Sequence, residues 1–429
     1  MAACSSLAHS ERGESKAGSA NKVCWAKDKV AAGMGRALPA RIGSSPGTDE
    51  NTCRFGDMSS VWQPTIQTLI QQHRNAKGGK IVEALGPAVK SGRAVKSRAY
   101  CLAHKKLCYL SPCTLHIGGS PCTDNSNMGD KAGEEGRTMV DTLARLAHVL
   151  ASEHMIFVSE NVPSEELVTT IQTLLGHMYH LDVVRDEANP CRLGWPVNRP
   201  RQFIVGLHKL KKTPSSVLAT FISSFSRITT MTWRDFLVSD HQVHLEEKAW
   251  SIARPVVLQR IEARGLDPHD LQALTFEDLM SESEMDVVQS YRANGFSRDC
   301  AWSLNQYPRN GRGRASTAQT LHTVIRNVGI IWDDRRCQWF TSTDLLAAQG
   351  FNLTGPPTCS FQHLHSRKRL DTSSQVGNAM HVNSIGAVIA FALEARNKNG
   401  TSFQNKLSES LLASRRSSKR KLTQPECRP

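Results

Sequence analysis

Between residues 107 and 206, short apolar runs alternate with stretches in which apolar residues recur at helical spacing. Strand patterns lie at 155–158, 181–184 and 202–206, and helix patterns at 139–150 and 163–174. Strands alternating with helices at this spacing are typical of an α/β domain with a largely parallel sheet. Ligands bind such sheets at the carboxyl ends of the strands, so functional side chains are expected in the loops that follow them.

Composition divides the chain into segments. Residues 1–50 are rich in Gly, Ala, Ser and Lys without an apolar period, which predicts disorder. The alternation stops after residue 208 and resumes near residue 324. The predicted order is a disordered segment (1–50), a first domain (51–208) with a basic insert at about 62–106, a smaller mixed or helical domain (209–310), a return to the first domain (311–395), and a basic tail (396–429).

The charge balance favours a polyanionic partner. The 429 residues carry a formal net charge of +14, with an isoelectric point near 9.4. Nucleic acid is the usual partner of such a chain, because neutralising phosphates releases counterions. Part of the charge lies in the tail, where the cluster at 415–421 is either a nuclear import signal or a solvated end.

Other features bear on where the chain works. No apolar run approaches the roughly 18 residues of a membrane span, so no membrane partner is expected. Residues 1–12 lack the apolar centre of a secretory signal. The 12 cysteines are scattered without paired spacing. Reduced thiols in an intracellular compartment are therefore expected.

Three short segments carry the chemistry. Gly118-Gly119-Ser120-Pro121-Cys122 places a thiol on a tight loop, although most cysteines are small buried apolar residues. Glu160-Asn161-Val162 places a carboxylate at a strand end, where an isolated Glu is normally solvated. Arg199 and Arg201 lie on an extended stretch, where alternate residues share a face.

The order and spacing of these segments resemble the cytosine-5 DNA methyltransferase family, an α/β fold with an S-adenosylmethionine-binding (Rossmann-like) sheet and an inserted recognition domain, here at 209–310. The resemblance implies that the Cys122 thiolate adds to C6 of a cytosine, because a ring carbon requires a soft, strong nucleophile. It implies that Glu160 hydrogen-bonds N3 and the exocyclic amine and protonates N3 as sulfur attacks. Asn161 would hold the loop.

The resemblance extends to the arginines. Arg201 would contact the base carbonyl, and Arg199 would support the catalytic loop or bind a phosphate. Val197 stands where the family usually has Gln, so one polar contact is missing. The Cys-Phe-Thr triplet of the tRNA-directed branch is not found in the recognition region, so DNA is the expected substrate.

Further segments imply S-adenosyl-L-methionine as cofactor. Gln375-Val376-Gly377-Asn378 resembles the segment whose backbone, with Gly377 and Asn378, closes over the methionine part. Asp57 resembles the acid that meets the adenine amine, and Pro121 would also contact the cofactor. Residues 343–351 resemble the Gln-Gly-Phe helix that supports the recognition domain.

One family segment is not found. Residues 1–55 contain no Asp-x-Phe-x-Gly-x-Gly segment, so the first strands of the sheet and half of the cofactor pocket are unaccounted for. The chain is therefore expected to bind the cofactor weakly by itself. The alternatives are a partner chain that completes the pocket, or an impaired or truncated homologue that acts as a DNA-binding or partner-binding protein.

Four residues with zinc-ligand chemistry lie close together in the basic insert and just after it. Cys101, His104, Cys108 and Cys113 supply four sulfur or nitrogen ligands, but their spacing matches no standard zinc motif. The sequence favours unliganded thiols over a small zinc site, and no metal is predicted.

Overall fold

The computed structural model describes residues 23–25, 53–55, 58–75, 81–110, 112–120, 135–136, 138–308, 315–325, 329–351 and 375–397. The chain forms two compact units. The sheet unit comprises Ala2–Val184, Gln202–Ile222 and Val388–Pro429, and the helical unit comprises Arg185–Arg201 and Ser223–Ala387.

The sheet unit contains most of the strands. They are β1 (Val23–Trp25), β2 (Cys53–Phe55), β3 (Arg98–Cys101), β4 (Lys106–Tyr109), β5 (Leu115–Gly119), β6 (Ile156–Asn161), β7 (Tyr179–Val184), β8 (Gln202–His208) and β9 (Lys212–Thr213). Its helices are α1 (Pro64–Asn75), α2 (Ile81–Lys90), α3 (Met139–Ser152), α4 (Glu165–Leu175) and α5 (Leu218–Ser223). A short 3-10 helix, Met58–Val61, precedes α1.

The central sheet has the order β5-β6-β8-β7. Strands β5 and β6 are parallel, and β8 is antiparallel to both β6 and β7. Strands β5, β6 and β7 therefore share one direction, which confirms the predicted α/β class, and β8 is the exception. Its reversal follows from the path of the chain. Val184 pairs with Phe203, so the chain leaves β7 and enters β8 at the same end of the sheet.

The helices beside this sheet follow the predicted periodicity. In α3, Leu143, Leu146 and Leu150 are buried, as the helical spacing predicts. Helix α4 begins after Ser164, whose side chain accepts a hydrogen bond from the Leu167 N–H at 3.2 Å. Such a cap satisfies one of the unpaired N–H groups of the first turn.

The predicted basic insert is folded into the core of the sheet unit. It forms α1, α2 and the β3–β4 hairpin, and α2 packs on α3 and α4. Trp62, Leu85 and Val89 are fully buried in the same apolar cluster as Leu143 and Leu146. The weak periodicity of this stretch arises because its apolar residues are shared between short helices and a hairpin.

The segment predicted to be disordered contributes one strand. Strand β1 lies within residues 1–50 and pairs in parallel with β2, with Val23 opposite Cys53. These three residues are too few to show an apolar period in the sequence, and their pairing with β2 defines them as a strand. The disorder predicted for residues 1–50 stays a prediction. The rest of residues 1–50 lies outside the described residues.

Three histidines form a buried cluster in the sheet unit. His116 of β5, His148 of α3 and His154, before β6, have ring centroids 4.9 to 5.7 Å apart. The His154 Nδ1 accepts the Cys113 backbone N–H at 3.0 Å, and its Nε2 lies 3.2 Å from the His148 Nδ1. Burial lowers the pKa of His148 to about 4, and burial with the nearby His148 and Lys211 lowers that of His154 to about 3.

These histidines predict a loss of stability in mild acid. Below pH 6.5 these histidines become protonated in the unfolded chain but stay neutral in the folded protein. The free energy of unfolding should therefore have its full value above pH 6.5. It should fall by about 1.4 kcal/mol per pH unit for each such histidine towards pH 4. For His148 the total is about 3 kcal/mol.

The pH effect is measured by urea unfolding between pH 7.5 and 5. His148→Gln should flatten the pH dependence, whereas the change of exposed His180 to Gln should leave it as in the wild type. An equal pH dependence in the wild type and His148→Gln would show that His148 is protonated in the folded state.

The helical unit contains residues 223–310 of the predicted recognition region, whereas residues 209–222 belong to the sheet unit. Its elements are short 3-10 helices at Asp186–Ala188, Pro190–Arg192 and Trp233–Phe236, the helices α6 (His241–Ile252), α7 (Pro255–Ala263), α8 (Glu282–Ala293) and α9 (Ser342–Ala348), and the strands β10 (Ala301–Ser303), β11 (Ile331–Asp333) and β12 (Gln338–Trp339). The sheet order β10-β11-β12 crosses residue 310, where the sequence places a domain boundary. Trp302, Trp332 and Trp339 are fully buried in its core.

Helix α9 is tied to the region before α6 by one carboxylate. Asp344 accepts hydrogen bonds from the backbone N–H groups of Val238 at 2.9 Å and Ser239 at 3.0 Å. It also completes a capping box with Thr341. The two backbone contacts join α9 to residues 238 and 239, which lie in the predicted recognition region.

In the part of the chain that the structure describes, the last helix is α10 (Val382–Glu394). It is followed by strand β13 (Arg396–Asn397), which pairs with β9. Among the described residues, the stretch Gln375–Glu394 is long and apolar enough to cross a membrane by length and composition alone. Half of it is buried inside the protein, and Val388, Phe391 and Ala392 are core residues. A core helix of a globular protein passes the same test, so this stretch is weak evidence for a membrane span.

Candidate active site

The ends of β5 and β6 lie side by side in the sheet unit. Gly119 pairs with Glu160 in the parallel register. The Asn161 side chain donates to the Ser120 carbonyl at 3.4 Å and accepts the Val162 N–H at 2.8 Å. Asn161 thus holds the start of the loop that leads to Pro121 and Cys122. Both of those residues lie outside the described part of the chain.

Glu160 is a buried carboxylate at the end of β6. Its side chain belongs to a residue that is 6% exposed, and its backbone is paired with β5 on one side and with Phe203 of β8 on the other. An isolated solvated Glu at a strand terminus would not be held in this way. The carboxylate is therefore placed with little freedom beside the start of the Pro-Cys loop.

Arg145 of α3 supplies a buried positive charge to the same strand ends. It is 5% exposed, donates to the Val158 carbonyl at 3.4 Å, and hydrogen-bonds the Ser159 hydroxyl. Burial lowers its pKa to about 10, and the charge of Glu160 acts in the opposite direction. Arg145 therefore stays protonated at neutral pH and provides a fixed counter-charge to Glu160.

Sequence reasoning missed Arg145. A charged residue in an amphipathic helix normally lies on the solvent face. In α3, however, Thr142, Arg145 and His148 are all buried, at spacings of three residues. Polar residues that recur every three positions among apolar ones indicate that a second face of the helix is buried, and this pattern could have identified Arg145 from the sequence.

Because Arg145 lies close to β5, a side chain at Gly118 is predicted to destabilise the protein. A Cβ at Gly118 would lie 2.8 Å from the Arg145 Cδ and 3.2 Å from its Nη1. Because the arginine is buried and hydrogen-bonded, Gly118→Ala should lower the free energy of unfolding by about 1–3 kcal/mol, as overpacking does. Chemical unfolding measures the change.

The matched control for this change is Gly86→Ala in α2. A Cβ there meets only Leu174 Cδ2 at 3.8 Å, an ordinary contact. A helical Gly→Ala change should be neutral or stabilising by about 0.5–1 kcal/mol. Equal stability of Gly118→Ala and the wild type would mean that Arg145 does not occupy this position.

In the helical unit, Arg199 is buried against backbone carbonyls. Its guanidinium donates to Val324 at 2.6 Å, to Gly377 at 3.1 Å and to Ala379 at 2.8 Å. Arg199 is 2% exposed, and its Nη1 and Nη2 groups make these three contacts. Two of them link the guanidinium to the backbone of the Gln375–Met380 segment, and the predicted support of the catalytic loop or of a phosphate stays a prediction.

Arg201 is placed differently from Arg199. It is half-buried, and its Nη1 donates to the carbonyl of the neighbouring Pro200 at 2.8 Å. The two arginines therefore do not share one environment, since residues 198–201 precede β8 and lie outside any regular strand. Of the pair, Arg201 is the one exposed enough to contact a ligand.

The departure at Val197 has a packing explanation. Val197 is fully buried in the apolar cluster with Trp233, Phe236 and Leu321, and it forms a bridge with Leu321. A glutamine amide in that cluster would need hydrogen-bond partners, and burying it without them is costly. Valine at this position therefore fits its surroundings.

The predicted cofactor segment is held from two directions. Arg199 bonds the carbonyls on either side of half-buried Asn378, and the Val382 N–H donates to the Gln349 carbonyl at 3.0 Å. The second bond joins this segment to the Gln-Gly-Phe stretch, where Gly350 adopts a positive φ of 82°. Asp57, the predicted adenine contact, lies outside the described residues.

Comparison with known proteins identifies a family whose profile matches most of the chain. A profile of the C-5 cytosine-specific DNA methylase family matches residues 106–393. A search of curated proteins finds no match.

Solved structures give distant similarities. A methyltransferase of Entamoeba histolytica, EhMeth, has 13% identity and a TM-score of 0.34, with 66% of this chain and 77% of that chain covered. The S. pombe Dnmt2 methyltransferase has 12% identity and a TM-score of 0.35, with 66% and 78% covered. A prophage-encoded DNA modification methyltransferase from E. coli has 16% identity and a TM-score of 0.38, with 65% and 78% covered.

Proposed function

The chain belongs to the C-5 cytosine-specific DNA methylase family, and we propose that it transfers a methyl group from S-adenosyl-L-methionine to C5 of cytosine in DNA. The observation that supports this most is the pairing of Gly119 with Glu160 and the bond from Asn161 to Ser120. These contacts bring the start of the Pro-Cys loop beside a buried carboxylate. The proposed reaction needs a nucleophile and a general acid close enough to act on the same cytosine ring.

In the proposed reaction the target base leaves the helix, which exposes C6. The Cys122 thiolate forms a bond to C6, and Glu160 delivers a proton to N3, so that no full negative charge develops on the ring. C5 then takes the methyl group that S-adenosyl-L-methionine supplies. A base, which can be water, then takes the C5 proton, the C6–S bond breaks with its electron pair returning to the Cys122 thiolate, and N3 returns its proton to Glu160, which restores the aromatic ring.

Arg145 gives Glu160 a defined position in this scheme. It is a positioning residue, because its guanidinium contacts the protein backbone and Ser159. Its positive charge lies close enough to Glu160 for the two side chains to interact electrostatically. Arg201 is proposed to contact the base carbonyl.

The described residues of the cofactor segment fit a backbone that encloses a ligand. Arg199 fixes the carbonyls of Gly377 and Ala379 and leaves the side chain of Asn378 half-exposed. Gly377 and Asn378 would hold the methionine part of S-adenosyl-L-methionine, and Pro121 and Asp57 are proposed as further contacts. The positive charge and the 415–421 cluster suit DNA and a nuclear location, which are parts of the proposal.

Transfer of labelled methyl groups tests this function. The purified chain is incubated with methyl-labelled S-adenosyl-L-methionine and, separately, with duplex DNA and with tRNA. Label in 5-methylcytosine of the DNA is the expected result, and label in the tRNA alone would assign the chain to the RNA-directed branch.

The second candidate is a DNA-binding homologue without catalysis. It is favoured by the lack of an Asp-x-Phe-x-Gly-x-Gly segment in residues 1–55. Each lost hydrogen bond weakens binding by about 1 kcal/mol, and up to about 3 with charged groups. Salt-sensitive DNA binding without cofactor binding in titration calorimetry, and without transfer of label, would support this candidate over the enzyme.

A further inference from the structure

Three cysteines and one histidine converge at one end of the sheet unit. Cys53 lies on β2, Cys101 ends β3, His104 lies in the β3–β4 turn, and Cys108 lies on β4. Their three Sγ atoms and the imidazole nitrogen all lie within 4.8 Å of one another. The His104 Nδ1 is 3.4 Å from the Sγ of Cys53, 3.4 Å from that of Cys101 and 3.3 Å from that of Cys108.

These distances match the edges of a tetrahedral zinc site. With a Zn–S bond of about 2.3 Å and a Zn–N bond of about 2.0 Å, a tetrahedron places nitrogen and sulfur about 3.5 Å apart and two sulfurs about 3.8 Å apart. The three nitrogen–sulfur distances fall within about 0.2 Å of this value. Packing alone does not require three thiols to surround one imidazole nitrogen at nearly equal distances.

The fourth ligand is not the one that sequence spacing suggests. Cys113 belongs to another contact, because its Sγ lies 3.3 Å from the Nδ1 of His154. Its place is taken by Cys53, which is 51 residues away from His104 in the sequence. The donor set is therefore Cys53, Cys101, His104 and Cys108.

We propose that Cys53, Cys101 and Cys108 bind one Zn²⁺ through Sγ, with Nδ1 of His104 as the fourth ligand. Thiolate and imidazole ligands suit Zn²⁺, and four protein ligands leave no position for a substrate. The site is therefore structural. The backbone N–H of His104 donates to the Cys101 Sγ at 3.4 Å.

The zinc has a clear mechanical role in this fold. In the described residues, β2 joins β3 through a single residue pair, Phe55 with Cys101. The ion would tie β2 to the β3–β4 hairpin next to that pair, through one bond to Cys53 and three bonds to the hairpin. It would thereby fasten the β1–β2 segment to the hairpin.

The buried histidine cluster is a weaker metal candidate. Its members also lie within 4.8 Å of one another. Hydrogen bonds account for two of them, however, because His154 accepts the Cys113 N–H, and His148 lies within bonding distance of His154 and of Ser152. The cluster thus serves as the internal comparison in the experiment.

The test measures metal in the full-length protein. The chain is purified without chelator, and its zinc content is measured by inductively coupled plasma mass spectrometry. About one zinc ion per chain is expected. Replacement of zinc by Co²⁺ should give visible d–d bands and a thiolate-to-cobalt charge-transfer band. Chelation should lower the unfolding temperature and expose the thiols of the site to alkylation.

Variants assign the ligands. Cys53→Ser and Cys108→Ser should lose the zinc or weaken the charge-transfer band, whereas the matched control Cys113→Ser should keep both. The wild type decides the question even if a ligand variant fails to fold. A wild-type chain that takes up no zinc and gives no thiolate band with Co²⁺ would overturn the proposal.

Two further results would also overturn it. Zinc that remains in Cys53→Ser and is lost in His148→Gln would place the ion in the histidine cluster. A mass lower by two hydrogens, with two of the three thiols unreactive until reduced, would show a disulfide in place of a metal site.

Discussion

Replacing Cys122 by serine should abolish methyl transfer, with a loss on the order of 10⁴- to 10⁶-fold, the range seen when a catalytic nucleophile is removed. A serine hydroxyl is not ionised at neutral pH and is a far weaker nucleophile than a thiolate towards a ring carbon. The rate is measured with methyl-labelled S-adenosyl-L-methionine under single-turnover conditions.

The matched control for this variant is Cys337→Ser, a change at an exposed cysteine in the helical unit. It should retain the wild-type rate, and both variants should keep DNA affinity, because the positive charge is unchanged. If Cys122→Ser kept its rate within about tenfold of the wild type, far less than the loss of a nucleophile costs, another group would have to attack C6.

Glu160→Gln should slow methyl transfer by about 10²- to 10⁴-fold, the usual contribution of general acid–base catalysis. Glutamine keeps the size and one acceptor atom but has no proton to give to N3. The change also removes the negative charge beside buried Arg145. Unfolding curves are therefore needed with the rates, so that a loss of stability is not taken for a loss of chemistry.

A second Glu→Gln change provides the comparison. Glu165, in the first turn of α4, is exposed, and Glu165→Gln should have the wild-type rate. A Glu160→Gln rate within a factor of about two of the wild type would be too small a change for a general acid. Glu160 would then be a structural partner of Arg145 only.

The sequence was most informative where local patterns decide structure. The apolar spacing in α3 and α4, the Ser164 cap and the strand before Glu160 are local features, and the structure has each of them. The order of the Pro-Cys, Glu-Asn-Val and Arg-x-Arg segments led to a family that the profile match supports. Local chemistry and segment order were sufficient for these conclusions.

Other features depend on contacts between distant residues. Arg145 was missed because a charged residue in a helix normally lies in solvent, whereas this one lies under the ends of β5 and β6. Cys53 was missed as a ligand because it is far in sequence from the β3–β4 hairpin. The burial of Arg199 depends on carbonyls of residues 324, 377 and 379, which its own extended segment does not reveal.

The covalent intermediate offers the most direct test of the proposed methyltransferase activity. Duplex DNA that contains 5-fluorocytosine is incubated with the full-length chain and S-adenosyl-L-methionine, then separated on a denaturing gel. Fluorine cannot leave C5 as a cation, so elimination stalls after methyl transfer and the protein remains bonded to the base. We expect a denaturation-resistant complex that requires the cofactor and is absent with Cys122→Ser. A chain that binds this DNA but forms no such complex, or a complex that persists in Cys122→Ser, would contradict the account.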